Sequence, residues 1–221
     1  MANVVRVWDL PTRLFHWTLA ASVVALVVTA YVGGNAMVWH LRLGYTVLSL
    51  LLFRLVWGLV GGRWSRFSAF LYSPATLWRY LKGLGHPEHS AGHTPLGAGS
   101  VFALLGFLTA QVVSGLMSDD EIAFAGPLTR FVSSATVEKA SWYHTAVGQW
   151  IVIGLVALHV AAILFYAWRK HNLVAPMILG DKHLPHALPS SRDDAVSRIG
   201  AALLFAVCAA TVGWLVSLGG A

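Results

Sequence analysis

Five apolar runs dominate the chain, at about residues 12–33, 38–60, 98–117, 142–168 and 196–218. Each can cross roughly 30 Å of hydrocarbon at 1.5 Å per residue. In lipid the backbone must satisfy its own hydrogen bonds, and these runs lack the alternation of barrel strands, so they must be helices. The expected fold is all-α integral membrane: a four-helix transmembrane bundle plus a fifth transmembrane helix, in one transmembrane domain over residues 1–221. Composition agrees, since 57% of residues are hydrophobic and 11% charged, where soluble domains carry about 25% charged. Polar or glycine clusters punctuate the runs: GGN at 33–35, GGR at 61–63, SDDE at 118–121 and DKHLPHALPSSRDD at 181–194.

The net charge of +6 is better explained by membrane orientation than by nucleic acid, because the basic residues cluster in particular loops. Arg6 and Arg13 precede the first helix. Arg63, Arg66, Arg79 and Lys82 lie between the second and third, and Arg169, Lys170, Lys182, Arg192 and Arg198 between the fourth and fifth. The opposite loop, 118–141, carries Asp119, Asp120, Glu121 and Glu138. The N-terminus is therefore expected in the cytoplasm and the C-terminus outside. The first run lacks a short h-region with a small-residue cleavage site and reads as an uncleaved helix. SPATLWRYLKGL, 73–84, has Ser73 as N-cap, Pro74 at N1 and an apolar face of Leu77, Tyr80, Leu81 and Leu84, the pattern of a helix lying in the membrane interface.

Depth separates the histidines. His16 lies just inside the basic end of helix 1, while His40 and His144 lie near the opposite ends of helices 2 and 4. His159 follows His144 by 15 residues, which is about 22 Å of rise and leaves the two roughly 60° apart around the axis. Helix 4 can thus offer one imidazole to each of two stacked sites, pairing His159 with His16 and His144 with His40. An imidazole in hydrocarbon needs a partner. Paired imidazoles from facing helices fit haem b, whose iron is bound axially on both faces; the four histidines would be its metal ligands, with the irons roughly 20 Å apart. The single cysteine, Cys208, rules out a disulfide framework, a thiolate cluster and the C-x-x-C-H of c-type haem.

Neighbouring residues fit the same expectation. Gly44 and Gly148 stand four residues after His40 and His144, which would clear space for a flat macrocycle. Arg13, one turn from His16, and Arg54, at the depth of the inner pair, are candidate partners for haem propionates, since a cation inside the membrane needs an anion. Arg42 is a weaker candidate at the other pair.

These stretches resemble the bacterial cytochrome b561 and hydrogenase-type cytochrome b subunit family. The likeness is carried by VWDLPTRLFHWTLA, WHLRLGYTVLSLLLFRLVWGLVG, GHTPLGAG and YHTAVGQWIVIGLVALHVAAILFYAWRKHNLVAPMILG, and spans about residues 4–180, with the haem-binding part in 1–180. The resemblance implies a di-haem b protein of the bacterial inner membrane with axial ligands His16, His40, His144 and His159. It further implies electron exchange between the quinone pool and a redox partner: a hydrogenase, another dehydrogenase or a periplasmic c-type cytochrome. A homodimer is compatible with it. The chain departs from the family pattern at Thr145, at GHTP (92–95) and at His171-Asn172.

A quinone site requires an apolar slot and a proton-exchanging group. His93 with Arg79 and Lys82 is one candidate, and Asp119, Asp120 and Glu121 are another. The alternative function is a haem-containing membrane anchor for a catalytic partner without quinone chemistry of its own. A proton or metal transporter would need carboxylates near midplane, and the five runs hold none away from their ends.

Overall fold

The computed structural model describes residues 3–86, 89 and 91–219; the extreme ends of the expected 1–221 domain, and Pro87, Glu88 and Ser90, lie outside the described residues. Among the described residues five helical spans are long and apolar enough to cross a membrane: Leu10–Val32, Ala36–Val60, Pro95–Leu116, Ser134–Trp168 and Ala195–Ser217. They match the five expected runs to within a few residues except at the fourth, which starts eight residues earlier. The chain is an all-α multi-pass membrane protein.

Local chemistry sets the helix ends. Helix α1 (Leu10–Val32) is capped by Asp9, whose Oδ1 accepts from the Thr12 amide at 2.8 Å. Gly33 and Gly34, at φ +65° and +52°, turn the chain directly into α2 (Ala36–Val60). The short α3 (Pro74–Leu81) has the expected Ser73 cap and Pro at its start. Thr94 caps α4 (Pro95–Leu116), its hydroxyl accepting from Gly97. Ser133 caps α5 (Ser134–Trp142), which runs through a π-helical stretch, Tyr143–Gly148, into α6 (Gln149–Trp168). After α7 (Val174–Leu179), Asp194 caps α8 (Ala195–Ser217) through the Ser197 amide at 2.8 Å.

The contacts divide the chain into two compact units. The first comprises Met1–His16, Arg54–Ala103 and Ala157–Leu203; the second comprises Trp17–Phe53, Leu104–Val156 and Leu204–Ala221.

Unit 1 contains a feature that the hydropathy pattern does not show. Strand β1 (Asn3–Arg6) pairs antiparallel with β2 (Asp181–Leu184), Asn3 opposite Leu184 and Arg6 opposite Asp181. Val5, Val7, Trp8, Trp64, Ala91 and Leu184 form a buried cluster beside the pair. Polar bonds complete this cap. Ser191 donates its amide to Arg6 O at 2.7 Å and its hydroxyl to Val7 O at 2.9 Å. Asp9 is fully buried and accepts from the Ser65 hydroxyl at 2.6 Å and Trp57 Nε1 at 3.2 Å as well as from Thr12. Asp193 gathers Arg6, Arg13 and Arg198 within 4 Å and accepts from the Leu10 amide at 3.0 Å.

Unit 2 is a helical bundle. Its core joins Val23 of α1, Val47, Leu48 and Leu51 of α2, Leu108, Val112 and Leu116 of α4, Val152 of α6 and Val212 of α8. The fifth membrane helix thus shares the core of this unit and does not merely flank it. Trp39, Trp142, Trp150 and Trp214 are all more than half exposed; tryptophans of this kind anchor helices in membrane interfaces.

Candidate functional site

In unit 2, α2 supplies His40 and the π-helical stretch supplies His144. Their ring centres are 6.1 Å apart and their planes stand at 89°. His40 Nδ1 lies 3.0 Å from Leu26 O, and His144 Nδ1 lies 2.8 Å from Gln111 O. In each ring a carbonyl thus claims Nδ1 as a donor and leaves Nε2 as the basic nitrogen, the way a hydrogen bond to one ring nitrogen sets a metal-binding tautomer at the other. The rings open on a cavity of about 450 Å³ lined by Leu26, Gly44, Leu108, Gln111 and Gly115.

In unit 1, α1 supplies His16 and α6 supplies His159, with ring centres 6.4 Å apart. A metal–imidazole bond is about 2.0–2.1 Å, and with about 1.1 Å more from nitrogen to ring centre, two rings sharing one metal stand about 6.2–6.4 Å apart. Both pairs match that spacing. Among the described residues no group of three or more His, Cys, Asp or Glu comes together, so neither pair belongs to a closed structural zinc site, which needs four ligands.

The glycines divide in their roles. A Cβ at Gly44 would meet nothing within 4 Å, and Gly44 lines the cavity as expected. Gly148 differs from expectation. A Cβ there would stand 2.1 Å from Gln111 Oε1 and 2.6 Å from Tyr143 Cε1, so its missing side chain makes room for Gln111 and not for a macrocycle. Sequence spacing overlooked Gly115, where a Cβ would fall 2.7 Å from His144 Cε1.

The two arginines also separate. Arg54 is 3% exposed, and its Nη1 is buried without a hydrogen-bond partner among the described residues. Its guanidinium lies over the Phe67 ring at 4.7 Å, and Gly58 lets that ring lie against α2, since a Cβ at Gly58 would be 2.2 Å from it. Arg13 has both an anion and an open donor: its Nε is buried with no hydrogen-bond partner among the described residues. Its Nη1 donates to Ile178 O at 2.6 Å and its Nη2 lies 3.8 Å from Asp193, which ties it to the polar cap.

His93 stands apart from its expected neighbours, because Arg79 and Lys82 are exposed and Lys82 lies over Trp78. Its ring packs on Phe70 at 4.4 Å and Trp8 at 4.8 Å, and its buried Nδ1 has no hydrogen-bond partner among the described residues. Burial first, then the nearby Arg54, His16, His159 and Lys182, push its pKa down to about 3. His93 thus lies within electrostatic reach of Arg54, Lys182 and the His16–His159 pair. Lys182, part of β2, could not be assigned there from sequence, because the strand pairing brings it from far along the chain.

The acidic triplet serves mainly its own loop. Asp120 Oδ1 accepts from the amides of Phe124, Ala123 and Ile122, which hold its carboxyl below the usual range, and Asp119 Oδ1 accepts from Glu121. Asp119 and Asp120 also line the cavity mouth.

A family profile described as prokaryotic cytochrome b561 matches residues 7–180. The chain belongs to that family. It is, accordingly, a haem b membrane protein of electron transfer. It is similar to proteins named "Probable Ni/Fe-hydrogenase B-type cytochrome subunit" from several bacteria. The Azotobacter vinelandii protein is 29% identical over 219 residues, covering 80% of this chain and 88% of the relative. That of Bradyrhizobium diazoefficiens is 23% identical over 217 residues, covering 80% and 85%, and that of Rhodobacter capsulatus is 25% identical, covering 80% and 81%. No solved structure matches the chain.

Proposed function

We propose that this cytochrome carries two b haems, one held by His16 and His159 and the other by His40 and His144, and moves electrons between quinone and a hydrogenase-type redox partner. The observation that carries this reading is the pair of ring spacings, 6.4 and 6.1 Å, each right for two imidazoles on one iron. Held by these histidine pairs, each haem would supply a one-electron iron couple, the chemistry of electron transfer.

The chain's own groups divide the work. Leu26 O and Gln111 O orient one ligand pair. Gly44 and Gly115 keep the space beside it open. Arg54, with its unpartnered Nη1, is the donor for a propionate at the other pair, and Lys182 adds to the electropositive surroundings there, while His93, its pKa pushed down to about 3, stays a neutral imidazole. The names of the relatives support a hydrogenase as partner.

Orientation follows from charge. Of fifteen Lys and Arg, three (Arg42, Arg130 and Lys139) belong to unit 2, which leaves twelve in unit 1. Basic residues favour the cytoplasmic side, so the N-terminus is placed in the cytoplasm and the C-terminus outside a bacterial inner membrane.

The test is to mix purified oxidised protein with a short-chain quinol and record the b-type absorption band. Reduction at a rate that saturates with quinol supports the reading. A haem-loaded protein that quinol leaves oxidised removes the quinone half of the proposal and favours the anchor alternative.

A further inference from the structure

His144 does not occupy an ordinary helical turn. Tyr143–Gly148 is π-helical, a rare geometry that inserts a residue and re-aims side chains. The turn is tied to α4 at a single residue by two reciprocal bonds. His144 Nδ1 donates to the Gln111 carbonyl at 2.8 Å, and Gln111 Nε2 donates to the His144 carbonyl at 2.9 Å. The glycine at 148 is what admits the amide, since any Cβ there would collide with it. Gln111 Oε1 is left buried with no partner among the described residues, so only the donating half of the amide is used.

Across the gap, His40 is fixed independently by Leu26 O. The two Nδ1 atoms are therefore held by separate carbonyls, with the Thr29 and Ser114 hydroxyls at 3.4 Å beside them, and the ring planes come out perpendicular, at 89°. The His16–His159 planes meet at 56°.

We infer that Gln111 is a positioning residue that holds the His144 ring perpendicular to His40 and so gives that haem an electronic character distinct from its counterpart. This rests on the reading of His40 and His144 as axial ligands. The physical link is orbital overlap. Each imidazole π system interacts with the iron d orbital in its own facing direction. Perpendicular rings raise both such orbitals alike and leave them nearly degenerate, whereas rings turned toward a common plane split them. Near-degeneracy in low-spin ferric iron produces a strongly anisotropic EPR signal with a large gmax, and splitting reduces gmax. Gln111 acts through the backbone: its amide occupies the His144 carbonyl and pins the turn from which the ring projects.

The test uses full-length, haem-loaded, oxidised protein and compares wild type with Gln111→Leu, which keeps the volume and the main-chain carbonyl but removes the donor. Gly148→Ala is the second variant, because it displaces the amide while Gln111 remains. Wild type is expected to show two low-spin ferric signals, one of large gmax. In either variant that signal moves to smaller gmax, the other stays in place, and pyridine haemochrome still counts two haems. Two haems with both signals unmoved in Gln111→Leu would overturn the role of Gln111 while leaving the ligand assignment standing. Fewer than two haems in wild type would instead remove the ligand assignment itself.

Discussion

Arg54 lays its guanidinium 4.7 Å above the ring of Phe67 while its Nη1 points, buried and unpartnered, into unit 1. Phe67 satisfies the cation's flat face by a cation–π contact, and the edge is left for an anion. Replacing Arg54 by Met removes the positive charge beside the haem proposed at His16 and His159. A cation favours the reduced, more negative state, so the midpoint potential of that haem should fall by about 60 mV, a tenfold change for one electron. The potential of the other haem should stay put. Redox titration of the purified variant distinguishes the two.

Asp9 anchors the cap of unit 1. It is fully buried and accepts from Thr12, Trp57 and Ser65. Asp9→Ala strands three donors, at about 1–3 kcal/mol each. A loss of at least about 3 kcal/mol lowers Tm by roughly 6–12 °C in a chain of this size. Gly62→Ala should act in the same direction, because its Cβ would fall 2.4 Å from Asp9 Oδ2. Asp9→Asn keeps one acceptor and should cost less. Thermal unfolding in detergent, followed by tryptophan fluorescence, ranks the three.

Acid should loosen unit 1 in two stages. His93 falls from 6.5 to about 3 on folding, so between those values the unfolded chain binds the extra proton and stability drops as pH falls. Asp193 follows at lower pH. Burial alone would raise its carboxyl, but Arg198, the Leu10 amide and Arg6 outweigh that and hold it below the usual range. Its contribution is present above the unfolded carboxyl pKa and is lost as pH falls through the lower folded value. His93→Gln should flatten Tm against pH between about 6.5 and 4, whereas Asp193→Asn should change only the more acidic limb.

The spans and the histidines were legible because hydrocarbon imposes length and polarity limits that few sequences meet by accident. GGN and SDDE marked helix ends because glycine turns the chain and charge cannot enter lipid. The cap was not legible. NVVR and DKHL are four-residue strands lying some 175 residues apart in the chain, too short to show a period and too distant to pair by eye. The contact of Arg13 with Asp193 was hidden for the same reason, since it forms only through that cap. The π-helical turn at His144 was hidden too, because spacing arguments assume 3.6 residues per turn throughout. That assumption assigned Gly148 to clearing space for a macrocycle, whereas a Cβ there would stand 2.1 Å from Gln111 Oε1.

The proposed function rests on two imidazole pairs at the spacing of a shared iron, each proposed to hold its own haem. The measurement is pyridine haemochrome per polypeptide for wild type, His16→Ala and His40→Ala, purified from membranes of haem-replete cells. Two haems in wild type and one in each variant is the expected result. A wild-type protein with a single haem, or a His40→Ala protein that still holds two, would contradict it.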